Sequence, residues 1–323
     1  EKMLDPFLPN NPLAHFTTSA REAFVELVLS GLFESENDPQ VPSSKKSLYP
    51  PYQHQVDMLR RGTHPGKPAF VVSGTGSGKT ESFMLPILAT LCAEAVNWPI
   101  PPAQTHGSGW FMGEGPFVPR RAEENVNRPQ GVRALILYPM NALVEDQLTR
   151  LRRALDCEAA QEVMLSHFHG NRLYFGRYNS TTPLTGFLRH PRINTLQQRA
   201  KENKKVEQLR AMLRGMQAQR MDAEKYDRLM PGDEEARHLF SRLDGSELVT
   251  RWDMQLSPPD ILITNSSMLS VMMAREVENS IFEKTRQWLE SSDDAYFFLV
   301  LDEMHLIRGS GGAETANLLR ALI

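Results

Sequence analysis

The sequence predicts an α/β fold in which a parallel sheet is flanked by helices. Four short runs along the chain are rich in β-branched and aromatic residues and contain almost no polar residues. Such continuous apolar runs are typical of parallel strands that are covered on both faces. Helical periodicity fills much of the sequence between them. The runs are 68–73 (PAFVVS), 133–138 (RALILY), 260–264 (DILIT) and 296–302 (YFFLVLD).

Helices are predicted at 19–34, 141–155 and 314–323, where apolar residues recur with the period of a helix. Two segments interrupt the alternation of strands and helices. The segment 98–130 is rich in Pro and Gly, which indicates an irregular insertion, and 189–250 is a charged insertion with a mostly helical pattern.

Composition excludes several classes of protein. The 323 residues are 41% hydrophobic and carry a formal net charge of -3, so a protein that is basic over its whole surface is excluded. The longest apolar runs fall short of the roughly 18 residues that a bilayer span needs, and no membrane partner is expected. Two isolated cysteines exclude a zinc ribbon and make a reducing, cytoplasmic setting the expected one.

The segment SGTGSGKT, residues 73–80, follows a predicted strand and opens a helix. In that setting glycines allow backbone N–H groups to surround phosphates at a helix N-terminus. Lys79 is expected to reach the β- and γ-phosphates of ATP, and the Thr80 hydroxyl to hold Mg2+. The backbone of the preceding residues would line the phosphates: Gly74, Thr75, Gly76, Ser77 and Gly78. The alternative is a glycine turn without a ligand.

The apolar run at 296–302 ends in the acidic pair Asp302–Glu303. A strand that ends in an acid places it at the carboxyl edge of a parallel sheet, where ligands bind in such folds. Asp302 is expected to hold Mg2+, and Glu303 to orient or deprotonate the attacking water. Surface acids that merely follow a strand are the alternative. A kinase would use the same phosphate grip, but the second acid favours hydrolysis over transfer.

With DEMH at 302–305, these motifs resemble the first RecA-like domain of a superfamily 2 DExH-box helicase, from Leu48 to the end of the chain. The stretch YQHQVDML, which begins at Tyr52, resembles the Q motif. That resemblance implies that Gln55 reads the adenine edge, with Gln53 as the less favoured choice, and that Tyr52 packs on the base. An ordinary amphipathic helix start is the alternative.

Three further stretches resemble the nucleic-acid motifs of these helicases: YPMNALVEDQ, FGRYNSTTPLTG and ILITNSSML. They follow strands, so short polar groups and helix N-termini could grip successive phosphates without reading bases. DNA is the nucleic acid that the resemblance implies, and an isolated surface arginine is the alternative for Arg177. The residues implied are Pro139, Asn141, Gln147, Arg177, Thr182, Thr264 and Asn265.

The wording of these motifs resembles bacterial YprA-type helicases and those of DISARM-like phage-defence systems. The resemblance implies an ATP-binding RecA-like domain at 48–323, and the helical pattern that precedes it predicts a helical lead-in at 1–47. Expected partners are nucleic acid, a second RecA-like lobe of the same full-length protein and defence-complex subunits. Because that second lobe supplies the arginine finger, residues 1–323 alone are expected to be nearly inactive. The competing function is an ATP-gated DNA clamp or assembly subunit that does not unwind.

The charged insertion is locally basic. Between Arg189 and Arg228 it carries eleven Lys or Arg against five Asp or Glu. Apolar residues at 206, 209, 213 and 216 follow 3-4-3 spacing, which predicts a helix packed along one seam. Its basic face is expected to guide the nucleic acid or to dock a partner, and a solvated helical arm is the alternative.

Overall fold

Strands of the apolar type described above form the sheet of this protein. The structure is a computed structural model that describes residues 11–33, 35–37, 45–72, 78–101, 109–122, 127–139, 141–230 and 235–322. The strands are β1 Ser35–Asn37, β2 Lys45–Ser47, β3 Ala134–Leu137, β4 Phe175–Arg177, β5 Glu247–Leu248, β6 Ile261–Thr264 and β7 Phe298–Leu301. The α-helices are α1 Thr18–Gly31, α2 Gln53–Gly62, α3 Lys79–Ala95, α4 Asn141–Asp156, α5 Glu158–His167, α6 Leu196–Leu229, α7 Arg251–Leu256, α8 Ser266–Ala274, α9 Asn279–Glu290 and α10 Gly309–Leu322.

The chain divides into two compact units, each of which is described by itself. The first comprises Glu1–Pro101 and Arg153–Leu173, and the second comprises Pro102–Arg152 and Tyr174–Ile323. The division does not follow the predicted boundary at residue 47, which stays a prediction about the extent of the helicase domain. No described helix combines the length and apolar composition that crossing a membrane requires.

The second unit contains a five-stranded sheet in the order β5-β4-β6-β3-β7, with every neighbouring pair parallel. The residues of β3 and β6 are buried on both faces, which explains their unbroken apolar sequences. One face of the sheet packs Leu135, Leu137 and Leu262 against side chains of α8 and α9. The predicted α/β fold with a helix-flanked parallel sheet is confirmed.

Three of the four predicted strands are present, as β3, β6 and β7. The strand predicted at 68–73 is wrong for its described part, because residues 68–72 have no regular secondary structure. Phe70 and Val72 are 78% and 97% exposed. An apolar run becomes a strand only when a neighbouring strand satisfies its backbone groups, and no described strand pairs with this run.

The first unit is mainly helical. Helix α1 confirms the helix predicted at 19–34, and the antiparallel pair β1–β2 was not predicted. Helices α2 and α3 pack closely at Gly62, where an added Cβ would lie 2.6 Å from the Pro86 Cβ atom. This close approach joins the end of α2 to the interior of α3.

Among the described residues, the first insertion is irregular and the second is largely helical, as predicted. The described part of 98–130 contains only a single 3-10 turn, at Trp110–Met112. The second insertion forms α6, whose 34 residues extend for about 50 Å. The predicted seam is present, since Leu209 and Leu213 are buried against Phe111 and Trp252. Val206 and Met216 pack beside them.

A buried ion cluster attaches the first insertion to the sheet. The Asp260 carboxylate, which is fully buried, accepts two bonds from Arg128 Nη2 at 3.0 and 3.2 Å. It lies 3.5 Å from Arg133 Nη1 and accepts the Tyr174 N–H at 2.7 Å. Burial alone would raise the pKa of Asp260, but the neighbouring arginines and this N–H outweigh it and hold that pKa below its ordinary value.

We expect Asp260→Asn to lower the free energy of unfolding by about 3–5 kcal/mol, because two buried guanidinium groups lose their counter-charge. Urea unfolding followed by tryptophan fluorescence measures the change. Asp146→Asn is the matched control, since Asp146 pairs with Arg150 in solvent at 3.1 Å and contributes at most about 1 kcal/mol. Equal losses in the two variants would contradict the role assigned to the buried cluster.

The depressed pKa of Asp260 also predicts a dependence of stability on pH. Above the ordinary aspartate pKa of about 3.9 the cluster contributes fully. As the pH falls from there through the lower pKa of the folded state, the unfolded chain binds a proton that the folded chain does not, so stability is lost. We expect the urea midpoint of the wild type to fall between about pH 6 and about pH 3, and that of Asp260→Asn to fall less. An equal fall in both proteins would show that other groups cause the loss of stability in acid.

Candidate functional site

The predicted phosphate segment ends at the start of α3. Gly78 is the residue before the helix and has a left-handed backbone, with φ +70°. Lys79 and Thr80 follow as the first two helical residues and are partly buried. The first turn of a helix presents backbone N–H groups without intrahelical partners, which suits an anion. The other predicted phosphate residues, 73–77, lie outside the described residues.

Gln55 links the start of α2 to the end of the phosphate segment. Its Oε1 atom accepts the Tyr52 N–H at 2.9 Å, and its Nε2 atom donates to the Gly78 carbonyl at 3.1 Å. A Cβ atom at Gly78 would lie well inside van der Waals contact of the Gln55 Nε2 atom, so an alanine there would displace the end of the Gln55 side chain, and the left-handed φ separately favours glycine. To contact the adenine edge, the Gln55 amide would have to give up these two bonds. Recognition of adenine by Gln55 stays a prediction.

Tyr52 is available for the predicted packing on a base. Its ring is 58% exposed and stacks on His54 with centroids 5.5 Å apart. The less favoured Gln53 instead donates to Asp57 at 2.9 Å on an exposed turn of α2. The geometry of the first unit therefore distinguishes the two glutamines, since Gln55 bonds to the end of the phosphate segment and Gln53 bonds within its own helix.

The acidic pair follows β7, as predicted. Asp302 N–H donates to the Leu137 carbonyl at 3.1 Å, which continues the pairing of β7 with β3 to the end of the sheet. The Asp302 carboxylate accepts the Glu303 N–H at 2.8 Å. Glu303 has φ +49°, a conformation that is uncommon for a residue with a side chain and that clusters at functional sites. Its carboxylate lies 3.2 Å from His305 Nδ1.

Tyr138 is a site residue that the sequence did not single out. It directly follows β3, and the register pairs Leu137 with Leu301, so Tyr138 and Asp302 leave neighbouring strands at the same level. Burial raises the pKa of the Tyr138 hydroxyl far above its ordinary value, and the charge of Asp302 raises it further. Only the pairing of β3 with β7, which a sequence does not state, could have identified this neighbour of Asp302.

The predicted nucleic-acid residues gather at the carboxyl edge of the same sheet. Pro139 and Asn141 follow β3, with Asn141 at the start of α4. Thr182 lies in the turn after β4, and Asn265 begins α8 after β6. Because β3, β4, β6 and β7 are parallel, these loops and Asp302 share one edge of the second unit.

Several side chains at this edge have structural partners. The buried Thr182 hydroxyl donates to the Arg177 carbonyl at 2.7 Å, and the Thr264 hydroxyl donates to the Tyr178 carbonyl at 2.5 Å. Asn265 Oδ1 accepts the Met268 N–H at 2.7 Å and caps α8. These side chains shape the loops, so contact with a phosphate would fall mainly to backbone N–H groups and to exposed neighbours.

The charged and amide candidates at this edge are also held in place. Arg177 is largely buried and forms an ion pair with Glu145 on α4. Burial lowers the pKa of Arg177, although Glu247 opposes that effect. Gln147 is partly buried on α4. Contact of Arg177 and Gln147 with nucleic acid stays a prediction, and the ion pair favours a structural role for Arg177.

The residues present are of the kind that ATP and Mg2+ require. An ammonium group and helix N–H groups suit phosphates, and a hydroxyl with a carboxylate suits Mg2+, which commonly binds few protein ligands together with substrate phosphates. Lys79 and Thr80 belong to the first unit, and Asp302 and Glu303 to the second. No group of three or more His, Cys, Asp or Glu among the described residues could hold a metal ion by itself.

Comparison with known proteins agrees with this geometry. Residues 52–174 match the family model for the DEAD/DEAH box helicase. The match contains Gln55, the phosphate segment and the start of α4, and it ends before β6 and β7. This part of the chain is therefore similar to the DEAD/DEAH box helicases, and the parallel sheet flanked by helices is consistent with a RecA-like α/β fold.

Druantia protein DruE of Escherichia coli (strain UMEA 4076-1) is 32% identical over 297 residues, which cover 84% of this chain and 15% of that protein. The chain is thus similar to a small part of a much longer curated relative. No solved structure matches it. The YprA-type or DISARM-like subfamily indicated by motif wording stays a prediction.

We expect Gly78→Ala to reduce ATP affinity severely, because the new methyl group displaces Gln55 from the end of the phosphate segment. Titration with a fluorescent ATP analogue measures the loss. Gly66→Ala is the matched control, since Gly66 has φ +71° but open space around its Cα atom. Both variants should lose about 1–2 kcal/mol of stability from the left-handed backbone. A similar ATP affinity in both would contradict the packing role of Gly78.

Proposed function

We propose that this chain is the ATP-binding lobe of an ATP-dependent nucleic-acid helicase or translocase, with DNA as its substrate. The observation that carries the proposal is the shared carboxyl edge of the parallel sheet. There the acidic pair after β7 lies on the same edge as the starts of α4 and α8 and the turn at Thr182. An edge that combines a hydrolytic acid pair with sites for successive phosphates suits a motor that couples ATP to movement along a strand.

Four residues carry the ATP chemistry in this proposal. Lys79 binds the terminal phosphates, and Thr80 and Asp302 hold Mg2+, which neutralises charge on the phosphates when it is bound. Glu303 orients the attacking water and accepts its proton. The left-handed backbone at Glu303 turns the chain sharply after Asp302, so that consecutive carboxylates need not point in the same direction.

In this proposal, the loops after β3, β4 and β6 bind the nucleic acid. The side-chain bonds of Thr182, Thr264 and Asn265 fix the shape of these loops. Backbone N–H groups at their tips and at the helix starts would then bind phosphate oxygens, which gives binding without base recognition. Such binding is what a protein needs in order to move along a strand of any sequence.

The proposal includes a second RecA-like lobe in the full-length protein and a role in phage defence with partner subunits. Similarity of this chain to part of Druantia protein DruE and the wording of its motifs support that role. A reducing, cytoplasmic setting is supported by the two cysteines, Cys92 and Cys157, which are not joined in a disulfide. ATP turnover would depend on an arginine from the second lobe.

Glu303→Gln in the full-length protein should bind ATP normally but hydrolyse it roughly 10²–10⁴-fold more slowly, because the amide cannot accept the proton of the attacking water. Single-turnover hydrolysis and strand displacement on a labelled duplex measure the effect. Asp293→Asn is the control, since Asp293 is exposed in the turn before β7, at the opposite end of that strand from the acidic pair, and has no assigned role.

If Glu303→Gln loses both ATP hydrolysis and strand displacement, the result supports a helicase. A wild-type protein that hydrolyses ATP on DNA and never displaces a strand would instead support the nucleotide-gated clamp. Unimpaired hydrolysis by Glu303→Gln would refute the role given to Glu303.

A further inference from the structure

The positive charge of helix α6 and the loop before it is concentrated at one end. Residues 189–205 contain six Lys or Arg and one acid, whereas residues 206–230 contain five Lys or Arg and four acids. The excess of positive charge in the insertion therefore belongs almost entirely to its first half. The two halves also differ in what their basic side chains do.

Basic residues in the second half of α6 serve mainly to hold the insertion together. Arg210 is buried and donates to the Gly115 carbonyl, and Arg214 Nε donates to the Phe111 carbonyl at 2.8 Å. Arg220 is buried and bonds Glu224 at 2.7 Å. These guanidinium groups already donate to acceptors of the protein, so they are poor candidates for an external ligand.

Three lysines in the first half form what we call the basic face: Lys201, Lys204 and Lys205. Their i, i+3, i+4 spacing places them side by side on the helix surface. Lys201 and Lys204 are exposed, and neither has an ion-pair or hydrogen-bond partner among the described residues. The single acid between them, Glu202, is buried, accepts the His190 N–H at 2.9 Å and lies 3.5 Å from Arg189 Nη1, so its charge is paired with Arg189 and not with these lysines.

The basic face is attached to the turn that contains Thr182. Lys205 Nζ donates to the Thr185 carbonyl at 2.8 Å, and Trp252 Nε1 donates to the Gly186 carbonyl at 3.0 Å. Leu184 and Leu188 pack against the same apolar seam as Leu209 and Leu213. The turn and the first half of α6 are thus one packed structure, and the lysines extend outward from it.

We propose that the basic face binds the sugar-phosphate backbone of the nucleic acid, and so extends the phosphate-binding edge of the sheet from the Thr182 turn onto α6. The inference rests on the proposed function and deepens it, since it assigns a site for the strand to the insertion. Ammonium groups that lack protein partners, on a helix fixed beside a phosphate-binding turn, fit phosphates by charge and by position. Lys205 fixes the helix to the turn, and Lys201 and Lys204 supply the contacts.

The test compares two double variants of the full-length protein. Lys201→Ala/Lys204→Ala removes the exposed lysines, and Lys225→Ala/Arg228→Ala removes the same charge about 36 Å further along α6. All four side chains are exposed, so both variants should fold, which thermal denaturation checks. Anisotropy of labelled single-stranded and duplex DNA over a series of KCl concentrations gives the affinity and its salt dependence.

For single-stranded DNA we expect Lys201→Ala/Lys204→Ala to reduce the slope of log affinity against log salt by about 1.4, or about 0.7 for each lost phosphate contact. At about 0.1 M salt this corresponds to a roughly 25-fold loss of affinity. The Lys225→Ala/Arg228→Ala control should change affinity less than about twofold. Lys201→Arg/Lys204→Arg retains the charge and should retain the slope.

An unchanged slope in Lys201→Ala/Lys204→Ala, or the same decrease in both alanine variants, would overturn the inference. A basic face that serves an acidic protein partner would give the first of these results. Those outcomes leave the proposed function intact, because the wild type would still bind DNA. Absence of DNA binding by the wild type, with ATP bound, would refute the proposed function and the inference together.

Discussion

The arrangement of the second unit depends on the in-register pairing of β3 with strands on both sides. Leu137 pairs with Thr264 of β6 and with Leu301 of β7. Tyr138 N–H then donates to the Thr264 carbonyl at 3.0 Å, and Asp302 N–H to the Leu137 carbonyl at 3.1 Å. Three loops therefore leave the sheet at one level. A shift of one residue would reverse which side chains are buried, so the apolar sequences of these strands resist it.

The insertions add to this sheet in different ways. The first is joined through buried charge at Asp260 and Arg128, whose attraction must offset the cost of removing both groups from water. The second is joined through apolar packing of Leu209 and Leu213 on Trp252 and Phe111. Phe111 belongs to the first insertion and Trp252 lies between α6 and β6, so the insertions pack on each other as well as on the sheet. An α6 fixed at this seam has a defined surface, whereas a solvated arm would not.

Sequence predicted the features that depend on local pattern. Continuous apolar runs predicted β3, β6 and β7, and the 3-4-3 spacing predicted the seam of α6. The run at 68–72 has the same composition, yet it is no strand, because pairing is a property of neighbours and not of composition. Contacts between segments that are distant along the chain could not be predicted from the sequence either. Three such contacts depend on how the helices and strands pack: Gln55 with Gly78, Tyr138 with Asp302, and Lys205 with Thr185.

Buried hydroxyls at the carboxyl edge bear on how the proposed motor would bind a strand firmly and still move. Thr182 and Thr264 use their side chains on carbonyls of their own unit, which fixes the loops before any ligand arrives. Loops that are already ordered lose little conformational entropy when phosphates bind. Under the proposed function, the exposed lysines of α6 would add attraction that salt weakens and that is shared among successive phosphates. Rigid backbone contacts would then determine where the strand lies, while the rim charge increases how long it stays.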